Sequence, residues 1–357
     1  MNSQIDDYIL KLIEGKNVSD IHLKTDKSPM LRVDGDLFVT KFPVLTKDAV
    51  LKIAYTIMRG RHVKEWENGR AVDTSYMIGE TLRFRVNIFR QRTKPGLVMR
   101  LIPIEIPRFE ELNLPKVMPQ IAMEPRGLIL VTGITGSGKS TTLASMIQYV
   151  NERRKFHILS IEDPIEFVHR DKQSSISQIE IGADAISFES AVTSSLREDP
   201  DIILVGEMRD LETVKTAIKA AEMGYLIFST LHTTDAPKTI NRILDVFPAR
   251  QQQQVRLQLA STLKAVLSMR LLPKASGTGR VPAMEILRTT TTVQAFIEDA
   301  EKTDSIKDVM AEGREQYGMQ TFDQHLTELY KSGTISLEVA RSAATNPADF
   351  ERAMMFD

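Results

Sequence analysis

The chain has 357 residues, a formal charge of −1 and no cysteine. This length is typical of two domains, each large enough to bury its own core. The nearly balanced charge argues against a motor that grips nucleic acid through a basic surface, and the absence of cysteine excludes disulfides and thiolate metal sites. The sequence shows neither a signal-peptide pattern nor an apolar run long enough to span a bilayer, so we expect a cytoplasmic protein without a transmembrane segment.

The first part of the chain, residues 1–102, predicts a small α+β domain. Apolar residues recur at helical spacing near the start, and later segments alternate apolar and polar residues as half-buried strands do. Two glycine-containing dipeptides, Asp34-Gly35 and Gly79-Glu80, are typical of hairpin turns. In chain order the predicted elements are a helix carrying Ile5, Tyr8, Ile9, Leu12 and Ile13, a hairpin of Leu31–Val33 and Leu37–Val39, helices over 46–58 and 61–68, and strands over 71–78, 81–90 and 96–102.

Residues 103–125 contain five prolines and predict an interdomain connection with at most short helical turns. From residue 126 apolar strands alternate with helical stretches, a pattern that indicates an α/β core with a mostly parallel sheet. From about 249 the pattern is mainly helical and predicts a helical C-terminal part packed on that core. The predicted strands are 128–132, 157–162, 201–205 and 225–230, and the later helices are 251–269, 304–312, 320–331 and 336–344.

Residues 133–140 read Gly-Ile-Thr-Gly-Ser-Gly-Lys-Ser, between a buried-strand pattern and an amphipathic helix pattern. Strand, glycine-rich loop and helix form the context that a Walker A phosphate loop requires. Backbone N–H groups would point at the phosphates, Lys139 would neutralise them and the Ser140 hydroxyl would ligate Mg²⁺, so the sequence predicts ATP as ligand. The predicted phosphate-binding residues are Gly133, Thr135, Gly136, Ser137, Gly138, Lys139, Ser140 and Thr141.

Two strand ends offer the carboxylates that nucleotide hydrolysis needs. Asp201–Glu207 is a buried-strand pattern that ends in Glu207, which is typical of a Walker B element holding Mg²⁺ through water. Ile161–Glu166 offers Glu162 as the catalytic carboxylate, because parallel strands end at the crevice where ligands bind. The plainer interpretations are that Glu207 is a surface acid and that Asp163 and Glu166 are capping or metal-shell residues beside a short helix begun by Pro164.

A histidine and two arginines complete the set of candidates. His232 follows the next strand and is a candidate sensor of the γ-phosphate, although a lone histidine is more often structural. Thr233, Thr234 and Asp235 have an alternative role as an N-cap. Arg83 and Arg85 share one face of the strand Leu82–Ile88 and are either arginines delivered to a phosphate or a solvated strand face.

Taken together, these elements resemble the secretion ATPases of type II secretion, type IV pili and type IV secretion, and within them the PilT/PilU pilus retraction group. The resemblance runs along nearly the whole chain. The stretches that carry it are Ser19–Leu23, Arg83–Asn87 with Gln91-Arg92, the Walker A loop, the Asp box Ile161–Glu166, Leu196–Asp201 leading into the Walker B element, Met208–Asp210, the His box Thr230–Thr233 and Gly318–Asp323.

This resemblance implies a PAS-like N-terminal domain joined to a RecA-like ATPase domain in a cytoplasmic homohexamer. It implies that Glu162 activates water, that Glu207 is the Walker B glutamate, and that Arg83 and Arg85 reach the phosphates. Hydrolysis of ATP would drive domain rotation that turns an inner-membrane platform protein, withdraws pilin subunits and powers twitching motility. The protein would then sit peripherally at the inner membrane, with a paralogous retraction ATPase as a further partner that the resemblance implies.

Several alternatives remain open at this point. Members of the retraction group commonly carry an Ala-Ile-Arg signature, and the corresponding stretch Thr292–Glu298 lacks the arginine, which leaves room for an accessory PilU-like role. Assembly and type II secretion ATPases usually carry a four-cysteine insertion that this chain cannot form, so retraction is favoured. A nucleotide-switched binding module would need only the phosphate loop, and a nucleic-acid motor would need a basic and aromatic surface.

Overall fold

The computed structural model describes residues 3–16, 18–33, 35–79, 82–102 and 105–356. Parts of the two predicted turns, Asp34 and Glu80, and the first proline of the predicted connection, Pro103, lie outside these residues. The chain forms two compact units. The first unit comprises Met1–Glu105, Glu162–Val168 and Ile179–Ser187, and the second comprises Ile106–Ile161, His169–Gln178 and Phe188–Asp357.

The first unit is built on a six-stranded antiparallel sheet with the order β3-β2-β1-β6-β5-β4. The predicted amphipathic helix, hairpin and strands are all present, and strand β1, which was not predicted, joins them. Most of these elements bury an apolar face, whereas β3 is exposed along its whole length. The core includes Ile9, Trp66 and Phe84. The elements are α1 Ser3–Ile13, β1 Val18–Lys24, β2 Met30–Val33, β3 Asp36–Val39, α2 Lys47–Ile57, α3 Arg61–Glu67, β4 Val72–Ile78, β5 Leu82–Gln91 and β6 Lys94–Ile102.

The rest of the chain contains the predicted strand and helix alternation, and one short helix lies in the described part of the proline-rich stretch. The elements are α4 Met118–Ala122, β7 Gly127–Thr132, α5 Lys139–Asn151, β8 His157–Glu162, β9 Ser175–Glu180, α6 Phe188–Ser195, β10 Ile202–Val205, α7 Leu211–Glu222, β11 Leu226–Leu231, α8 Ala236–Asp245, α9 Ala249–Thr262, β12 Leu263–Pro273, β13 Arg280–Arg288, α10 Thr291–Glu298, a 3-10 helix Ala300–Ser305, α11 Ile306–Glu312, α12 Arg314–Tyr317, α13 Phe322–Lys331, α14 Leu337–Ala343 and α15 Pro347–Phe356.

These later strands form a seven-stranded sheet with the order β13-β12-β7-β11-β10-β8-β9. β7 pairs in parallel with β11 and β12, and β10 pairs in parallel with β8 and β11. β7, β10 and β11 are buried along their whole length, as strands covered on both faces are. The α/β class predicted from the sequence is confirmed. Because these three strands are parallel, the segments that follow them leave the sheet at one edge.

The predicted helix 251–269 is wrong in its second half, and the predicted helical C-terminal part also contains two strands. α9 ends at Thr262, and Leu263–Pro273 is a strand that pairs with β7 on one side and β13 on the other. The apolar run from Leu263 to Leu272 suits a helix or a buried strand, so its periodicity could not choose between them. The open edge of β7 decides the outcome, since pairing there satisfies the backbone polar groups of β12.

Two smaller differences concern the Asp box. The short helix considered at Pro164 does not form, since residues 163–168 have no helical structure. Strand β9 was not predicted, because its alternation of polar and apolar residues is too short to stand out. Throughout the described ranges, no helix combines the length and the apolar character that crossing a membrane requires.

Candidate functional site

The glycine-rich loop between β7 and α5 has the backbone form of a phosphate-binding loop. Gly133, Gly136 and Gly138 have φ angles of 140°, 80° and 98°, a region that favours glycine. A Cβ at Gly133 would lie 2.5 Å from the carbonyl oxygen of Met269, so this position also needs the missing side chain. Gly138 is the N-cap of α5 and no side chain caps the helix, which leaves its first N–H groups to an anion.

Lys139 is folded back onto this loop. Its ammonium group is buried and donates to the carbonyl oxygens of Gly133 at 2.8 Å and Ile134 at 3.2 Å. Burial lowers the pKa of Lys139, and the nearby charge of Glu207 opposes that shift. The Ser137 hydroxyl is buried and has no hydrogen-bond partner among the residues that the structure describes. The loop therefore holds a positive charge and an unsatisfied hydroxyl, both of which a phosphate oxygen would satisfy.

Glu207 lies just beyond the end of β10 and is held on both carboxylate oxygens. His232 Nε2 lies 3.2 Å from its Oε1, and an Arg209 terminal nitrogen lies 2.7 Å from its Oε2. Burial acts to raise the pKa of Glu207, but the hydrogen bond and charge of Arg209, followed by those of His232, lower it overall. The carboxylate is therefore in its ionised form at neutral pH, as a group near a metal's water shell has to be.

The ends of β10 and β11 are tied together by hydroxyl groups. Ser229 Oγ donates to the carbonyl oxygen of Val205 at 2.7 Å, and Thr230 Oγ1 donates to that of Gly206 at 2.6 Å. These bonds place Glu207 and His232 side by side. Asp235 accepts from the Lys238 N–H at 2.9 Å and is the N-cap of α8, which confirms the plainer interpretation of that residue.

Glu162 is the last residue of β8 and is assigned to the first unit. Its Oε2 accepts a hydrogen bond of 3.0 Å from the backbone N–H of Glu166. Glu166 in turn forms an ion pair of 2.8 Å with Arg85, whose side chain is 42% exposed. The Asp-box segment is therefore joined to strand β5 of the first unit through one of the two predicted arginines.

The other predicted arginine, Arg83, has different surroundings. It is 7% exposed, its terminal nitrogen lies 3.2 Å from Glu180 Oε2, and the same nitrogen donates to the carbonyl oxygen of Ile165 at 2.8 Å. Its Nε is buried and has no hydrogen-bond partner in the described part of the chain. Glu180 has no motif around it in the sequence and was not predicted.

The structure thus gathers the predicted residues into two groups. The second unit brings Lys139, Glu207 and His232 together with the phosphate loop, and adds Arg209, which the sequence offered only as part of a family motif. The first unit brings Glu162, Glu166 and Arg85 together, and separately joins Arg83 to Glu180. Glu207 and His232 were predicted from their positions after the ends of strands. Glu180 was not predicted, because a buried partner of this kind has no local sequence signal.

Two oxygen donors at the loop suit magnesium. The Ser140 side chain is exposed at the first turn of α5, and the Glu207 carboxylate is ionised near Lys139. Hydroxyl and carboxylate oxygens, completed by water and phosphate oxygens, are the ligands that Mg²⁺ prefers. The residues present therefore fit this ion.

Comparison with known proteins gives a consistent result. The family described as type II/IV secretion system protein matches residues 2–354. The chain is 45% identical over 335 residues to the type IV pilus retraction ATPase PilT of Pseudomonas aeruginosa, covering 94% of this chain and 96% of that protein. It is 46% identical over 319 residues to a twitching motility protein of Neisseria gonorrhoeae, covering 89% and 85% respectively.

A solved structure supports the same comparison at the level of the fold. A crystal structure of the pilus retraction motor PilT with bound ADP superposes with a TM-score of 0.88 and 46% sequence identity, covering 98% of this chain and 99% of that one. At this identity and coverage, the likeness extends to the sequence as well as to the arrangement of strands and helices.

Proposed function

This chain belongs to the type II/IV secretion system protein family, and on that premise we propose that it is an ATP-hydrolysing motor that drives type IV pilus retraction. The observation that carries the proposal is the cluster of Lys139, Glu207 and His232 at the phosphate loop. A module that only binds nucleotide needs the loop alone. The ionised carboxylate held next to a histidine favours turnover.

The phosphate loop binds the β- and γ-phosphates of ATP through its N–H groups and Lys139. Ser140 and Glu207 are the residues that would hold Mg²⁺, Glu207 through water. When bound, this ion would offset the negative charge of the phosphates. His232 Nε2 lies 3.2 Å from Glu207 Oε1, just beyond the end of β11. This position supports a role for His232 as a sensor of the γ-phosphate.

We assign Glu162 the role of the base that accepts a proton from the attacking water. Arg85, with its partly exposed guanidinium, is the arginine that stabilises charge on the phosphates of a neighbouring subunit in a homohexamer. Arg83 has buried partners inside its own chain. Its position favours a supporting role over direct phosphate contact.

In this proposal, hydrolysis drives relative rotation of the two domains, and the ring acts on an inner-membrane platform protein at the base of the pilus. The motor would work from the cytoplasmic side, peripheral to the inner membrane. Removal of pilin subunits would shorten the pilus and power twitching motility, in keeping with the names of the two relatives.

An accessory role beside a second retraction ATPase is the other candidate, and the composition of α10 favours it. In place of the arginine expected there, Gln294 occupies the helix and its side-chain amide donates to Glu298 at 3.3 Å. Such a change alters which partner this surface suits and leaves the nucleotide site as it is.

Live-cell imaging of pili tests the proposal. A strain that lacks the chain is complemented with wild type, Glu162→Gln or, as a control at an exposed glutamate outside the site, Glu189→Gln. We expect static and over-abundant pili that wild type restores and Glu162→Gln does not, while purified Glu162→Gln still binds ATP. Normal retraction in the deletion strain would contradict a primary motor and support the accessory role. Full hydrolysis by Glu162→Gln would contradict the assignment of the base.

A further inference from the structure

A buried carboxylate, Glu180, ends strand β9 within the first unit. It is 6% exposed and accepts hydrogen bonds from three donors on three different segments. Ser75 Oγ of β4 donates at 3.0 Å, a terminal nitrogen of Arg83 of β5 donates at 3.2 Å, and the backbone N–H of Ile165 donates at 3.2 Å, all to Oε2. A buried carboxylate with this many donors is kept in place, because each donor would otherwise lose a partner in a dry environment.

The partners of Glu180 include both polar groups of one peptide residue in the Asp box. Ile165 gives its N–H to Glu180 and its carbonyl oxygen accepts from Arg83 at 2.8 Å. Glu180, Arg83 and Ile165 therefore each contact the other two. The residue that follows β9, Ile181, donates its N–H to the carbonyl oxygen of Glu162 at 2.8 Å, which fixes the start of the same segment.

The contacts continue from Ile165 to the carboxylate of Glu162. The neighbouring N–H, that of Glu166, donates to Glu162 Oε2 at 3.0 Å. The orientation of the Glu162 side chain thus depends on the path of the backbone at residues 165 and 166. That path depends on Glu180 and Arg83, since they hold both polar groups of Ile165.

We propose that Glu180 is a positioning residue that, with Arg83, anchors the Asp-box segment 162–168 to the sheet of the first unit and thereby orients Glu162. This inference rests on the proposed function, in which Glu162 is the base. It assigns Arg83 to its own chain, as the counter-charge of Glu180. Arg85 is then the arginine that contacts the phosphates of a neighbouring subunit.

The experiment compares Glu180→Gln, which keeps the shape and removes the charge, with Ser75→Ala, which removes one donor, and with Glu189→Gln as an exposed control. We expect Glu180→Gln to lower kcat by about tenfold to a hundredfold, because small displacements of a catalytic group have effects of that size. The dissociation constant of a fluorescent ATP analogue stays within about twofold. Ser75→Ala has a smaller effect, and Glu189→Gln has none.

Hydrogen exchange supplies a readout that does not depend on activity. In nucleotide-free protein, peptides covering 163–168 exchange faster in Glu180→Gln, while peptides of β7 and α5 keep the wild-type rate. Arg83→Gln gives the same result, and the double variant is no worse than either single variant, because both substitutions remove one shared contact. Unchanged exchange over 163–168, or multiplied losses in the double variant, would overturn the inference.

Failure of this inference can be told from failure of the proposed function. If Glu162→Gln loses hydrolysis while Glu180→Gln keeps the wild-type kcat, only the positioning role is wrong. If wild type fails to hydrolyse ATP, or if Glu162→Gln turns over normally, the proposed function is wrong whatever the exchange data show.

Discussion

The ammonium group of Lys139 lies 2.8 Å from the carbonyl oxygen of Gly133, six residues earlier in the same loop. The lysine therefore has a hydrogen-bond acceptor within its own loop. Its charge has been moved partly out of water, and this burial lowers its pKa. A phosphate oxygen that takes over this bond gains a charged donor at little further cost of desolvation.

Lys139→Ala should weaken ATP binding by about tenfold to a hundredfold, the size expected for one charge-assisted hydrogen bond. Because the hydrogen bonds that Lys139 makes within the described ranges go to loop carbonyls, the thermal unfolding midpoint should change little. Titration with a fluorescent ATP analogue checks the first expectation and calorimetry checks the second. Lys219→Ala, an exposed lysine on α7, is the control. Equal affinity in both variants would contradict the role of Lys139.

Gly133→Ala should abolish nucleotide binding and lower the thermal unfolding midpoint. Its Cβ would lie 2.5 Å from the Met269 carbonyl oxygen and 2.6 Å from Ser137 Oγ, and its φ of 140° suits only glycine. Gly136→Ala is the matched control, because nothing lies within 4 Å of its Cβ although its φ is 80°. The positive φ should lower the free energy of unfolding of Gly136→Ala by about 1 kcal/mol, and this variant should retain part of its affinity for nucleotide. A larger loss of affinity and stability in Gly136→Ala than in Gly133→Ala would show that movement of the loop relieves the crowding at Gly133.

Mixed rings separate the roles of the two arginines. Arg85→Ala subunits and Lys139→Ala subunits are each expected to be inactive alone, and mixing them should restore part of the ATPase rate if Arg85 acts on a neighbour. Mixing Arg83→Ala with Lys139→Ala should restore nothing, because the partner of Arg83, Glu180, belongs to the same chain. Mass spectrometry confirms that the rings are mixed. Rescue by the Arg83 pair alone would reverse the assignment.

Glu285 gives the stability of the second unit a dependence on pH. Burial, the largest cause, raises its pKa from 4.5 to about 7; Asp235 also raises it, while the Ala236 N–H, Lys307 and Arg270 lower it. The folded state therefore binds a proton more tightly than the unfolded state does. Protonation of Glu285 therefore stabilises the folded state fully below about pH 4.5, and this stabilisation is lost as the pH rises through about 7. The free energy of unfolding changes by ~3 kcal/mol at most.

Glu285→Gln should remove this dependence. The midpoint of thermal unfolding of wild type, measured relative to that of the variant, should fall between pH 5 and pH 8. Glu301→Gln, at an exposed position, should follow wild type at every pH. A constant difference between wild type and Glu285→Gln across this range would show that Glu285 has the same pKa folded and unfolded.

The phosphate loop and its flanking strand and helix were determined by the sequence alone, because their chemistry depends on residues that are adjacent in the chain. The same holds for Glu207 and His232, since each follows a largely apolar strand, and parallel pairing brings such strand ends to one edge. The α+β class of the first unit was also predictable, because strands such as β4 and β5 alternate buried and more exposed residues, but strand β1 in the middle of the sheet was not predicted.

Only the tertiary structure decided features that depend on distant partners. Leu263–Pro273 forms a strand because it pairs with the edge of β7. The local sequence pattern does not predict this pairing. Arg83 and Arg85 look alike in the sequence, two residues apart on one strand face, yet one is buried against Glu180 and the other is partly exposed beside Glu166. Burial and charge pairing are set by residues about a hundred positions away, so the fold alone assigns them different surroundings.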